Sequence, residues 1–149
     1  MNKECLLGID MGTSSVKVGL FDLKGEPIAF ADETYPLYTP RSGWAEQKAD
    51  DWWNAICAAT RTLMQKSGAD PESIIGMGVD TTCCTVLMAD EHMNILRPAI
   101  MWMDVRASKQ AKAITRTGNP ALKINGNGTG NVSAESMPAK ALWLKENER

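Results

Sequence analysis

Two apolar runs flank a short polar segment near the start of the chain. The first holds Cys5, Leu6, Leu7 and Ile9; the second runs from Val16 to Phe21. The pattern predicts a strand over about 4–10, a tight turn, and a strand over about 15–22. Asp22-Leu-Lys-Gly25 has the composition of a hairpin turn with glycine at its end. A third strand follows from Ile28 to about Thr34, so the opening unit is a three-stranded antiparallel meander. Tyr35-Pro-Leu-Tyr-Thr-Pro-Arg-Ser-Gly43 is rich in turn formers and predicts an ordered loop.

Helical spacing takes over near residue 50. Trp52, Ile56, Ala59 and Leu63 recur on one face of a helix running to about Lys66, with Asp50 or Asp51 as its cap and Gly68 at its end. Trp52-Trp53 suits either helix packing or stacking on a sugar or base. Ile74-Ile-Gly-Met-Gly-Val-Asp80 is almost wholly apolar and predicts a central strand buried on both faces. Val86 to Ala89 predicts a further strand, and Asp90 to Asn94 a turn with His92 facing solvent. Asp104 is placed to cap a helix over about 105–117, with Gly118 as its stop. The glycine- and asparagine-rich run 125–131 predicts a poorly ordered turn or a mobile loop. Pro138 opens a last helix over about 138–148 with no capping residue before Arg149, which leads to the expectation of a truncated chain. The resulting order is three strands, a helix, two or three strands, then helices: an α/β domain with a mixed sheet flanked by helices.

Polar residues gather at three strand ends: Asp10 to Ser15, Asp80 to Thr85, and Asp104 to Arg106. Ligand sites in α/β sheets collect at such ends. In the first cluster Gly8 and Gly12 allow a backbone to fold closely around a phosphate, and Thr13, Ser14 and Ser15 offer donors. Asp10 suits a hydrated Mg²⁺, which takes one carboxylate, water and phosphate oxygens. The alternative is a plain hairpin whose polar residues only make the turn. Neither the Walker spacing nor the dinucleotide fingerprint is present. The second cluster, with an acid, threonines, Cys83 and Cys84, suits a small polyhydroxy ligand; alternatively its threonines cap strands and its cysteines pack. Asp104 serves either as a helix cap or as a ligand contact, and Arg97 and Arg106 either pair with it or meet a phosphate.

Composition narrows the function classes. A chain of 149 residues with 44% apolar content suffices for one core-bearing domain. Sixteen basic against eighteen acidic residues, with no basic block, speak against nucleic acid. No apolar run approaches the roughly 20 residues of a membrane span. Cys5, Cys57, Cys83 and Cys84 form no C-x-x-C, and His92 is the one histidine, which speaks against zinc and a disulfide framework and for a reducing cytoplasm. No Ser/His/Asp or Cys/His arrangement assembles, which speaks against hydrolase chemistry.

Several stretches in order carry a family resemblance. Gly8-Ile-Asp-Met-Gly-Thr-Ser-Ser-Val-Lys17, Trp44-Ala-Glu-Gln47 with Trp52-Trp53, Gly76-Met-Gly-Val-Asp80, and Arg97-Pro-Ala-Ile-Met-Trp-Met-Asp-Val-Arg-Ala107 resemble the N-terminal part of the FGGY carbohydrate kinases. Ser133-Ala-Glu-Ser-Met-Pro-Ala-Lys-Ala-Leu-Trp-Leu-Lys-Glu-Asn147 is similar as well, so the likeness covers about residues 5–148.

The resemblance implies an actin-like (ribonuclease H-like) ATPase fold, with residues 1–149 as the N-terminal, substrate-side lobe. It implies ATP and Mg²⁺ as cofactors and phosphoryl transfer to a hydroxyl of a small ketose or polyol. On that model Asp10 holds Mg²⁺ through water, and Gly12, Thr13, Ser14 and Lys17 belong to the cofactor side. Asp80, Thr82, Cys83, Cys84 and Asp104 lie toward the sugar. The family's catalytic base is an Asp beyond residue 149, so this chain alone is expected to be inactive; the intact enzyme is a candidate homodimer. Glycerol kinases carry an Arg-Glu pair, and xylulokinases Met-His, where this chain has Cys83-Cys84. Asp80-Thr81-Thr82 is closer to the ribulokinase side, which favours ribulose, ribitol or a related tetritol. Two other classes remain: a non-catalytic sugar-binding fragment, and an ATP-driven binding protein of the actin and heat-shock chaperone type. The latter group shares the Asp-x-Gly-Thr hairpin but lacks the Trp-x-Asp-x-Arg stretch at 102–106.

Overall fold

The computed structural model describes residues 4–125 and 128–148. Two compact units divide them: residues up to Pro36 with Lys48–Thr82, and Leu37–Gln47 with the residues from Cys83 onward.

The first unit is a four-stranded sheet covered by one helix. β1 (Cys5–Met11), β2 (Ser15–Asp22) and β3 (Pro27–Thr34) form the expected antiparallel meander. The β2–β3 turn is set by Asp22, whose carboxylate accepts the N–H groups of Lys24 and Glu26 at 2.8 and 3.0 Å, with Gly25 left-handed at φ 84°. β5 (Ile74–Thr81) pairs with β1 in parallel, giving the order β3-β2-β1-β5. α1 (Ala49–Ser67) buries Ala55, Ala59 and Leu63 against Leu7, Val16, Val18 and Leu20. Truncating a fully buried leucine such as Leu63 to alanine would cost about 2–5 kcal/mol. Trp52 joins this core, whereas Trp53 is exposed. α1 ends where expected, at a left-handed Gly68 whose N–H returns to Met64 O.

Neither Asp50 nor Asp51 caps α1: Lys48 occupies the cap position, and both acids lie in the first turn, where they favour the helix dipole. The apolar run 74–80 is not a central strand buried on both faces. It is an edge strand among the described residues, with Ile75 56%, Met77 64% and Val79 62% exposed. An apolar run records that a strand wants covering, while the cover itself comes from elsewhere in space.

The second unit has little sheet. β4 (Glu46–Gln47) pairs with β6 (Ala99–Ile100). The strand expected over 86–89 reduces to isolated bridges, Val86 to Ile100 and Ala89 to Ile95. α2 (Ser108–Arg116) and α4 (Met137–Asn147) pack through Ala107, Ala111 and Ala139, with Ile114 and Trp143 alongside. A short helical turn, α3 (Leu122–Asn125), precedes the glycine-rich run, and residues 126–127 of that run lie outside the described residues. Asp104 does not cap α2, which begins at Ser108 with Ala107 in the cap position. No helix of the described residues is long and apolar enough to cross a membrane.

Candidate functional site

Strand register brings the first two polar clusters together within the first unit. Asp10 stands opposite Lys17 on β2 and beside Asp80 on β5. Neighbouring strands lie about 4.8 Å apart, and laterally paired residues project from the same face. The three charged side chains therefore form a row across three strands. They line one open concavity of about 550 Å³, whose floor includes Gly8, Gly19 and Gly78. The face is kept low by those glycines. A Cβ on Gly19 would come within 2.8 Å of the Phe21 and Phe30 rings.

The turn from Gly12 to Ser15 adjoins this row. Gly12 N–H donates to Ser15 O at 3.0 Å, and a Cβ on Gly12 would meet that same oxygen at 3.3 Å. Thr13 is half-buried and Ser14 exposed. Tyr35 braces the turn from below: its hydroxyl lies 2.5 Å from Gly12 O and 3.0 Å from Ser15 O, and its N–H donates to Ser14 O at 3.2 Å. Burial, reinforced by the negative charge of Asp10, raises the Tyr35 pKa above its ordinary 10.0. The phenol therefore remains a proton donor. Sequence reasoning placed Tyr35 among turn formers and missed this role. A single aromatic after a strand carries no signal of a contact made more than twenty residues away.

In the second unit Asp104 has no exposed surface. Its carboxylate accepts Ala45 N–H at 2.6 Å, Arg106 N–H at 2.9 Å, and the Arg106 guanidinium at 2.7–3.0 Å. Arg106 also meets Glu46 at 2.8 Å and lies over the Trp44 ring, 3.7 Å from its centre, with Trp143 packed edge-on to Trp44. Arg97 pairs instead with Glu46 and Glu148. So both arginines are held by carboxylates of this chain, and Asp104 organises a buried ion network. A planar guanidinium can satisfy two carboxylates and stack at once, which a lysine could not do.

Cys83 and Cys84 are exposed thiols, and Cys84 adopts a left-handed backbone at φ 60°. Thr82 and Asp80 belong to the first unit, the two cysteines to the second. His92 is exposed in its turn, as expected. Among the described residues no cluster of three or more His, Cys, Asp or Glu side chains forms a metal cage. A single exposed carboxylate at a strand end, that of Asp10, fits a cation that keeps most of its water and takes phosphate oxygens, as Mg²⁺ does.

Residues 5–149 match the profile of the FGGY family of carbohydrate kinases, N-terminal domain. A protein of Xenopus laevis named FGGY carbohydrate kinase domain-containing protein is 36% identical over 151 residues, covering 96% of this chain and 26% of the relative. A D-ribulokinase of Saccharomyces cerevisiae is 32% identical, covering 95% of this chain and 21% of the relative. The crystal structure of a xyloylose kinase from Brucella ovis superposes with a TM-score of 0.90 at 29% identity, over 97% of this chain and 30% of that one. The chain thus spans about a quarter of the length of the curated relatives it matches.

Proposed function

Because the chain belongs to the FGGY family of carbohydrate kinases, we propose that the intact protein transfers the γ-phosphoryl group of ATP to a hydroxyl of a small ketose or polyol, of the pentulose or pentitol type. This chain supplies the substrate-side lobe. The observation that carries the reading is the row Lys17–Asp10–Asp80 beside the braced Gly12–Ser15 turn. Asp10 would hold Mg²⁺ through water. The backbone of Gly12, with Thr13 and Ser14, would face the phosphates, and Lys17 would balance charge on the cofactor side. Bound there, Mg²⁺ neutralises developing charge on the phosphoryl oxygens. The residues themselves position and exclude rather than form bonds, which suits a transfer whose catalysis is mainly placement and electrostatics.

Asp80, Thr82, Cys83 and Cys84 are assigned to the sugar. Two thiols in place of a charged pair leave hydroxyl recognition to Asp80 and Thr82, and favour a neutral polyhydroxy acceptor. Asp104 is assigned a supporting part, since its carboxylate is buried on Arg106 and Ala45. No side chain of this chain is assigned as the base that accepts the sugar proton. The proposed setting is the cytoplasm, where ATP and free thiols coexist.

The test is a coupled ADP-release assay on the full-length protein with a panel of pentuloses, pentitols, tetritols and glycerol. Sugar-dependent ADP release with one five-carbon or four-carbon acceptor is expected. ADP release that no sugar or polyol stimulates would end the kinase reading.

A further inference from the structure

We propose that Lys140 is a positioning residue that fixes the backbone of the Cys83-Cys84 loop, and through that loop sets affinity for the sugar acceptor. The second half of this proposal rests on the function proposed above; the first half does not.

Lys140 lies in α4 with no exposed surface, between core positions Ala139 and Leu144. An apolar side chain would serve packing there, and burying an ammonium is costly. The charge is put to use. Its Nζ donates to Met101 O at 2.8 Å, Cys84 O at 2.9 Å and Trp102 O at 3.0 Å. An ammonium has three protons, and all three are placed on carbonyls from two separate segments. Burial pulls the Lys140 pKa below its ordinary 10.5, an effect opposed by the charges of Asp104, Cys84 and Glu135.

One of the three carbonyls that Lys140 grips belongs to a residue in a disfavoured conformation. Cys84 at φ 60° carries a Cβ in the left-handed region, a conformation that persists where the surroundings over-determine it. Two residues on, Val86 exchanges both backbone hydrogen bonds with Ile100 at 2.9 Å. Segment 84–86 is thereby pinned at one end by a bridge to β6 and at the other by Lys140, which also holds the two residues that follow β6. Cys84, an exposed residue, opens this fastened segment, and exposed Cys83 immediately precedes it. Fixing such a loop before the ligand arrives removes an ordering cost from binding.

The experiment compares the full-length protein with Lys140→Met, which removes all donors, and Lys140→Gln, which keeps two. Hydrogen exchange is followed at the amides of residues 84–86, together with iodoacetamide labelling of Cys83 and Cys84 and separate KM values for sugar and ATP. For Lys140→Met, exchange at 84–86 is expected to rise about tenfold or more, the equivalent of at least one lost hydrogen bond. The sheet amides of residues 5–34 should remain unchanged. The sugar KM should rise by a similar factor while the ATP KM stays within about twofold, and Lys140→Gln should fall between. Unchanged exchange at 84–86 in a folded variant would overturn the proposal. So would exchange raised evenly across residues 83–148 with both KM values moving together, since that pattern belongs to a general packing role. If Lys140→Met fails to fold, Lys140→Gln decides by the same criteria. If the wild-type protein phosphorylates no sugar, the function falls, and selective loosening of 84–86 still decides the clamp.

Discussion

Removing one oxygen at Tyr35 tests how the Gly12–Ser15 turn is built. In Tyr35→Phe the ring remains in its buried place, and only the hydroxyl contacts to Gly12 O (2.5 Å) and Ser15 O (3.0 Å) are lost. Both carbonyls lose their side-chain partner, but Ser15 O still accepts from Gly12 N–H, so the larger loss falls on the Gly12 carbonyl. One such loss costs about 1–2 kcal/mol. For a chain of this size that corresponds to a fall in Tm of roughly 3–6 °C. If the turn is the phosphate cradle, the same energy appears as an ATP KM raised about 5–30-fold, with the sugar KM unmoved. Alkaline pH adds an independent check. The Tyr35 pKa is raised in the folded state, so its contribution is fully present below pH 10.0 and is lost as pH rises through the higher folded value. Phenylalanine does not titrate, so the stability gap between the two proteins should narrow above pH 10. The assays are urea unfolding at neutral and alkaline pH and the coupled ADP assay. A neutral-pH stability loss below about 0.3 kcal/mol, with an unchanged ATP KM, would refute the bracing role.

Three further substitutions address the remaining parts. Asp10→Ala is expected to lower kcat by about a hundredfold or more while sugar binding, measured by calorimetry, survives; near wild-type turnover would remove Asp10 from the metal site. Cys83→Ser should change preference among pentuloses, pentitols and tetritols more than it changes stability. An unchanged preference with a large stability loss would return that residue to packing. Arg106→Ala leaves Asp104 buried without its counter-charge and should cost about 3–5 kcal/mol in urea unfolding, with a changed near-ultraviolet signal from Trp44 and Trp143. A loss under about 1 kcal/mol would mean that water reaches this network.

The local pattern of the chain determined the antiparallel meander, the span and end of α1, the Asp22–Gly25 turn and the start of α4. Each is governed by residues close in sequence: alternating burial, a side-chain oxygen within reach of the amides of Lys24 and Glu26, a glycine able to take φ above zero. The grouping of the first polar cluster was legible for the same reason, since Asp10, Gly12, Thr13 and Ser14 lie within a few residues of one another. What tertiary structure decided was partnership. β5 is apolar enough for a sheet interior, yet among the described residues pairing places it at an edge, and only its parallel register set Asp80 beside Asp10. Asp104 sits where a helix cap could stand, but an amide 59 residues away and a guanidinium two residues away claim its carboxylate. Lys140 is an ordinary helical lysine in the sequence. Its burial, and the three carbonyls it gathers from as far as 56 residues away, exist only because α4 packs where it does. Short-range hydrogen bonds and periodicity are written in neighbouring residues, whereas the choice of partner for a buried charge or a strand edge is a property of the packed chain.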